Sequence, residues 1–211
     1  MPEVLDITNS FNKVIGKEDR DIAHKQGLWH RTVNFLLIDS SQNQILFQNK
    51  KNKPIDEKFF VQINGGHLQA GETLEDGFRE LEEETGIPKD KTTFTYAGVV
   101  PTAVDFGTDF ILREFMYYYV ADVKNLNQEL SANMPSEESK AFIGLNYIDA
   151  FNMIVEEKAA NISAYKITKD NIESDLSLQK NHFKNFTDDN LYKRIFSFLI
   201  RHNNGNSKMP L

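Results

Sequence analysis

The stretch GGHLQAGETLEDGFRELEEETGI, from Gly65 to Ile87, decides how the rest of the chain is read. Thr73 and Asp76 make a capping-box-like start, Gly86 a stop, and Pro88 follows two residues later, which predicts a helix over roughly 74–85. Leu74, Phe78 and Leu81 recur at i, i+4 and i+7 and give that helix one apolar stripe for a core. Glu80, Glu83 and Glu84 fall at i, i+3 and i+4, so their carboxylates gather on a shared face. Anions crowded in this way repel. They are offset either by solvent and salt, as on an ordinary solvated face, or by Arg79 together with bound divalent cations. Carboxylate oxygens are hard ligands, and Mg²⁺ or Mn²⁺ held by a few of them while keeping waters is the usual arrangement at phosphate chemistry. The glycine pair before the helix lets backbone come close, offering a carbonyl to a metal or amides to an anion.

Working outward, Arg31 to Asp39 (RTVNFLLID) and Gln44 to Lys50 (QILFQNK) read as two strands joined by a tight turn. Phe59 to Asn64 is a further short apolar run ending at Gly65, and Thr93 to Val100 and Asp109 to Asp122 are two more strands. A strand over Ala141 to Ile148 precedes a helical segment, Asp149 to Ala160. A stronger amphipathic helix, Asp188 to His202, aligns Leu191, Ile195, Phe198 and Leu199 on one side. Strands flanked by helices predict an α/β chain, a three-layer α/β/α sandwich around a mixed β-sheet. The expected organisation is an N-terminal segment over 1–30, a catalytic domain over 31–160, and a helical extension over 161–211 packed on it.

Composition narrows the function. The 211 residues are 40% apolar and 26% charged, which excludes global disorder. The longest unbroken apolar run, Phe115 to Ala121, is far short of the ~18 residues needed to span a bilayer, so no membrane partner is expected. The start, MPEVLDITNS, has acids where a secretory leader needs a basic and then an apolar stretch, which makes a cytoplasmic location the expectation. Thirty-one acids against 24 bases leave a net charge of −7, which argues against binding a nucleic-acid polymer. The absence of cysteine removes disulfides, thiolate metal sites and cysteine nucleophiles together.

The stretch from Gly66 to Ile87 resembles the Nudix signature, GX5EX7REUXEEXGU with U apolar, through Gly66, Glu72, Arg79, Glu80, Leu81, Glu83, Glu84, Gly86 and Ile87. Seven fixed residues at frequencies of roughly 1 in 15 make a chance match rarer than about one in a million per chain. One departure is visible: six residues separate Glu72 from Arg79 where the signature has seven. A deletion there rotates Glu72 by about 100° relative to the other acids unless the loop compensates. The resemblance implies Glu83 and Glu84 as metal ligands, with Glu80 a further ligand or an aid in deprotonating the attacking water. It also implies Arg79 as an orienting salt-bridge partner and the Gly65 carbonyl as a contribution to the metal. A Nudix α/β/α sandwich is the implied fold, and a homodimer is common in the family.

A second stretch, VIGKEDRDIAHKQGLWHRTVNFLLID from Val14 to Asp39, resembles the opening segment of the isopentenyl-diphosphate-isomerase-like branch of Nudix proteins. In the isomerases, histidines of this segment and of the GGH motif bind a metal, and a cysteine before that motif moves protons. His24, His30 and His67 match those histidines by position, while Asn64 stands in the place assigned to the cysteine. For His24 and His30, hydrogen bonding around the first core strand is the alternative role. Lys50, Lys51 and Lys53 could meet a substrate phosphate or simply be solvated. Glu114, Tyr117 and Tyr119 are read as alternating along a strand, with one face lining a pocket. Glu137 and Glu138 lie in a loop where this superfamily often supplies another acid. The expectation is a Mg²⁺- or Mn²⁺-dependent hydrolase of a diphosphate linkage in a small organic molecule. Its catalytic residues would be Arg79, Glu80 and Glu83, its metal ligands Glu80, Glu83, Glu84 and Gly65, and its substrate contacts would come from Lys50, His67, Tyr117 and Glu138. The rivals are an isopentenyl-diphosphate isomerase and a catalytically idle Nudix-fold binding domain.

Overall fold

In the computed structural model, which describes residues 3–49, 61–107, 110–135, 141–169, 172–183, 190–206 and 210–211, the chain begins with an antiparallel hairpin, β1 (Val4–Thr8) and β2 (Val14–Asp19). Asp19 then caps a short helix, α1 (Arg20–Gln26), by accepting from the amides of Asp21 and Ile22. The core strand β3 (His30–Asp39) turns at Ser40–Gln42 into β4 (Gln44–Gln48). Then come β5 (Asn64–His67), a 3₁₀ turn (Asp76–Phe78) running into α2 (Arg79–Thr85), and the long hairpin β6 (Thr93–Asp105) and β7 (Ile111–Asp122). The remaining elements are α3 (Leu126–Asn133), β8 (Phe142–Asn146), α4 (Tyr147–Ile154), β9 (Ile162–Ile167), β10 (Ile172–Leu178) and α5 (Leu191–Asn203).

The sheet runs β10-β9-β8-β4-β3-β7-β6, and β5 pairs with β3 off that path. The β3–β7 pairing is parallel and every other pairing among the described residues is antiparallel, so the sheet is mixed as expected. Alternation along β3 sorts the layers. Val33, Phe35 and Leu37 join the core under α2 and α3, whereas Leu36 and Ile38 join the core under α4 and α5. The result is the α/β/α sandwich. One edge of β3 serves two partners: β4 takes Leu37–Asp39, and β5 takes Thr32–Phe35.

Residues 161–211, expected as a helical extension, begin instead with two strands. ISAYKI turns Ile162 and Ala164 into the core under α4 and α5 and Ile167 into the core on the other face, and β9 joins β8 while β10 joins β9, so this part continues the same sheet before α5. The strand expected to end at Asn64 begins there: β5 consists of the glycine pair with its flanking residues, and residues 59–60 lie outside the described residues. The helix expected over 74–85 is α-helical only from Arg79, although the capping exchange between Thr73 and Asp76 is made in both directions at 2.9 and 3.2 Å.

At seven residues α2 is too short to persist alone, and the burial of Leu81 holds it to the sheet. Its end is fixed by Gly86, at φ 75°, where an added Cβ would sit 1.8 Å from the Asn133 carbonyl oxygen of α3. Both the backbone region and the space therefore require glycine. Gly86→Ala should lower the unfolding free energy by at least about 2 kcal/mol in urea denaturation, and an unchanged midpoint would show that α3 is not packed against this turn.

Candidate functional site

Arg79 opens α2 and its guanidinium gathers four residues from three elements of structure. Nε and Nη2 fork onto the Glu72 carboxylate at 2.8 and 3.1 Å, Nη2 also donates to the His67 carbonyl at 3.1 Å, and Nη1 reaches Glu80 at 2.5 Å and Glu83 at 3.1 Å. The fork shows that the loop compensates for the six-residue spacing. A 3₁₀ turn advances about 120° per residue against about 100° in an α-helix, so three such residues recover about 60° of the lost rotation. Glu72 is further fixed by the Gln69 amide at 2.7 Å. Burial works to raise the Glu72 pKa, and the bonds from Arg79 and Gln69 outweigh it and hold the carboxyl low. Glu80 moves the other way: burial raises its pKa against the pull of Arg79.

Glu80 lies against Gly66, where a Cβ would meet its carboxylate at 2.0 Å, so the second glycine of the pair makes room for this acid. Glu84 accepts from Gln48 Nε2 at 2.6 Å. Glu80, Glu83, Glu84 and Gly65 all line one open cleft of about 810 Å³, to which Arg20 and Glu3 also contribute. The donor set is oxygen only, a fit for a hard divalent cation, and Arg79 already offsets part of its charge.

On the other face of β5 a second constellation forms. Register pairs Val33 with Gly66 and Thr32 with His67, so Gly66 faces α2 while His67 faces the opposite layer. The parallel pairing sets His30 beside Glu114, and α1 brings His24 over them. Glu114 Oε1 lies 3.8, 3.6 and 3.8 Å from the Nε2 atoms of His24, His30 and His67. These separations exceed a hydrogen bond. Four donors about 2.1 Å from a common tetrahedral centre stand about 3.4 Å apart, and the four ligand atoms here lie within 4.8 Å of one another.

The outer contacts favour the same reading. His24 Nδ1 meets the Arg20 carbonyl and His30 Nδ1 the Leu28 carbonyl, each at 2.8 Å, so each ring carries its proton outward and turns the Nε2 lone pair to the centre. Thr32 Oγ1 donates to Glu114 Oε2 at 3.3 Å. The Nε2 atoms of His30 and His67 are buried without a hydrogen-bond partner among the described residues, which is costly unless a cation takes their lone pairs. Burial pushes His67 down to about 3 against the pull of Glu114, while at Glu114 the facing imidazoles outweigh burial and hold the carboxyl at about 2. A neutral His67 beside an ionised Glu114 is the protonation pattern that a transition-metal site needs. Beyond the cluster lies a chamber of about 190 Å³ walled by Ile63, Leu112, Met116 and Tyr118, and it shares Gly65, Gly66 and His67 with the cleft.

His24 and His30 thus hydrogen-bond around β3, as the alternative role required, but with one nitrogen each. The reading of Glu114, Tyr117 and Tyr119 as one face is corrected: an even-numbered and two odd-numbered positions cannot share a strand face. Glu114 goes with Met116 and Tyr118 toward the chamber, while Tyr117 and Tyr119 pack on the α2 side, where Tyr117 accepts from Asn12 Nδ2 at 2.6 Å. Asn64 is fully buried, with Nδ2 3.4 Å from the Leu46 carbonyl. Lys50, Lys51, Lys53, Glu137 and Glu138 lie outside the described residues. The union of Glu114 with three histidines has no local sequence signal, because it exists only once β3 and β7 are paired.

A family profile described as the NUDIX domain matches residues 28–166. An uncharacterized Nudix hydrolase of Clostridium acetobutylicum is 30% identical over 121 residues, covering 56% of this chain and 58% of that protein. An isopentenyl-diphosphate Delta-isomerase of Serratia proteamaculans is 31% identical over 124 residues, 57% of this chain and 66% of the isomerase. The chain thus spans less than two thirds of the length of these curated relatives. Among solved structures, DR0079 from Deinococcus radiodurans shares 28% identity over 57% of this chain and 70% of its own, with a TM-score of 0.42.

The histidine cluster makes a direct expectation. Adding Zn²⁺, Co²⁺ or Mn²⁺ to chelator-stripped protein should raise the melting temperature by about 5–10 °C, and Glu114→Gln, which keeps the shape and removes the charge, should abolish most of that gain. Equal stabilisation of the variant would show that the cluster holds no cation.

Proposed function

We propose that this chain, which belongs to the NUDIX domain family, is a Mg²⁺- or Mn²⁺-dependent hydrolase that cleaves the diphosphate linkage of a small organic substrate. The observation that carries the reading is the convergence of Glu80, Glu83, Glu84 and Gly65 on one cleft beside the Arg79 guanidinium. An idle binding domain has no use for so many crowded carboxylates. In this reading Glu83, Glu84 and the Gly65 carbonyl hold the cation, with Glu80 beside them. The bound cation supplies charge neutralisation at the phosphate oxygens and a more acidic water.

The chain's own residues do the rest. Arg79 keeps the acids converged, fixing Glu72, Glu80 and Glu83 without entering the reaction. Glu80, whose burial raises its proton affinity, is the group suited to accept the proton of the attacking water. As the water oxygen bonds to phosphorus, the bridging P–O bond breaks and its electrons leave with the departing phosphate. No covalent enzyme intermediate forms. His24, His30, His67 and Glu114 hold a second, nitrogen-preferring ion at the neighbouring chamber, where the organic part of the substrate has room.

The histidine cluster and the relative named as an isomerase favour a second reading, isopentenyl-diphosphate isomerisation. That reaction needs two acid/base groups facing the hydrocarbon. The chain has no cysteine. Among the described residues, the titratable groups lining the chamber are His67 and Glu114, both committed to the cluster, and Tyr118 and Tyr192, whose phenols burial pushes up. Hydrolysis therefore ranks first.

Against a panel of nucleoside-diphosphate, dinucleotide and isoprenoid diphosphate compounds, metal-dependent release of phosphate or nucleotide is expected from at least one. Glu83→Gln and Glu84→Gln should each reduce that turnover on the order of a hundredfold or more with the fold intact, and wild-type rates in either would remove it from the site. Isopentenyl diphosphate incubated with the protein and Mg²⁺ should yield no dimethylallyl isomer by NMR. Isomer above a no-enzyme control would reverse the ranking of the two reactions.

A further inference from the structure

Gln48 closes β4 at a position where a side chain should be apolar. Alternation sends Ile45 and Phe47 to the core under α4 and α5, and Leu46 to the core beneath α2. Gln48 is the next residue on the Leu46 side and is 2% exposed. Leucine or methionine would fill that volume with no polar atom to desolvate, so a buried glutamine calls for a reason beyond packing. Its backbone is clamped from both sides, exchanging two 2.8 Å hydrogen bonds with Gln62 and pairing with Phe142 of β8. From this fixed stem Nε2 donates to Glu84 Oε2 at 2.6 Å, while Oε1 is buried without a partner among the described residues. The side chain accepts an unmade hydrogen bond in order to make that one.

We infer that Gln48 is a positioning residue that sets the orientation in which Glu84 binds a cation. The inference rests on the reading of α2 as a cation site and goes beyond it by assigning an outer partner to one ligand. The chemistry of the donor matters. A lysine or arginine would fix the carboxylate equally well and cancel its charge, as Arg79 does in part for its neighbours, whereas an amide fixes it and leaves the charge for the cation. Glu84 sits in the last turn of α2, away from Arg79, which contacts Glu72, Glu80 and Glu83. Gln48 thus supplies this carboxylate of the cleft with a neutral donor.

The test uses the full chain without substrate. Mn²⁺ binding is followed by electron paramagnetic resonance in wild type, Glu84→Gln, Gln48→Met, Gln48→Leu and the double variant Gln48→Met with Glu84→Gln, and urea unfolding is measured in chelator. Because the histidine cluster is also expected to take Mn²⁺, the component of interest is the one that Glu84→Gln removes. Gln48→Met and Gln48→Leu should each weaken that component by about tenfold or more, with metal-free stability at least that of wild type, and the double variant should lose no more than Glu84→Gln alone. The two apolar replacements differ in shape, so one that packs poorly leaves the other to decide. Mn²⁺ affinity within about twofold of wild type in a folded Gln48 variant overturns the inference and leaves the hydrolase reading standing. Unaltered binding in Glu84→Gln removes the α2 cation site itself, and the inference falls with it.

Discussion

The Arg79 guanidinium is the contact on which the arrangement of the cleft depends. Its donors bind, at once, the loop before α2 through Glu72, the strand β5 through the His67 carbonyl, and the helix through Glu80 and Glu83. These anions would otherwise drive the helix away from the glycine strand. Arg79 is only partly exposed, so its charge is screened less than that of a surface arginine, and the carboxylates around it raise its pKa. A lysine could not replace it, because one ammonium cannot fork onto Glu72 and reach three further acceptors in fixed directions. The short 3₁₀ turn is what lets the same contact form with one residue fewer than the signature.

A second constraint follows from the pleat of β5. Gly66 and His67 are adjacent, so they face opposite layers: one makes room for Glu80, and the other contributes a nitrogen to the cluster with Glu114. Two donor sets are therefore kept apart by the thickness of one strand while sharing its residues. A substrate lying across the Gly65–His67 strand would touch both hollows. Phe110, just before β7, stacks on the His24 ring at 4.6 Å.

Much of this was legible where the chemistry is local. The capping exchange of Thr73 with Asp76, the glycine stop of α2 and the converging spacing of Glu80, Glu83 and Glu84 all lie within a few residues, and local rules read them. The succession of strands flanked by helices foretold the α/β/α sandwich and its mixed sheet. Features set by pairing between distant segments were out of reach. ISAYKI is apolar at Ile162, Ala164, Tyr165 and Ile167 but without a clean alternation, so it and its partner β10 do not announce themselves as strands until the edge of β8 is there to receive them. Glu114 was noticed, but grouping it with Tyr117 ignored the parity of strand faces, and its true partners lie on α1, β3 and β5. Gln48 carried no motif, and only its depth beneath α2 gives it significance.

The two donor sets also differ in kind, and that difference bears on how one fold would keep two ions distinct. The cleft offers carboxylates and a carbonyl in an open, solvated setting, which suits a small hard ion that retains its waters. The cluster offers three imidazoles and one carboxylate, nearly or fully buried apart from His67, which suits an ion that sheds its waters and prefers nitrogen. The tautomers of His24 and His30 are fixed by backbone carbonyls, so the nitrogen site is preorganised by the fold itself. The oxygen donors are held by side chains instead, by Arg79 and Gln48, and would adjust as a phosphate joined them. A rigid ion beside an adjustable one is the division of labour expected when the first anchors the site and the second moves with the reacting group.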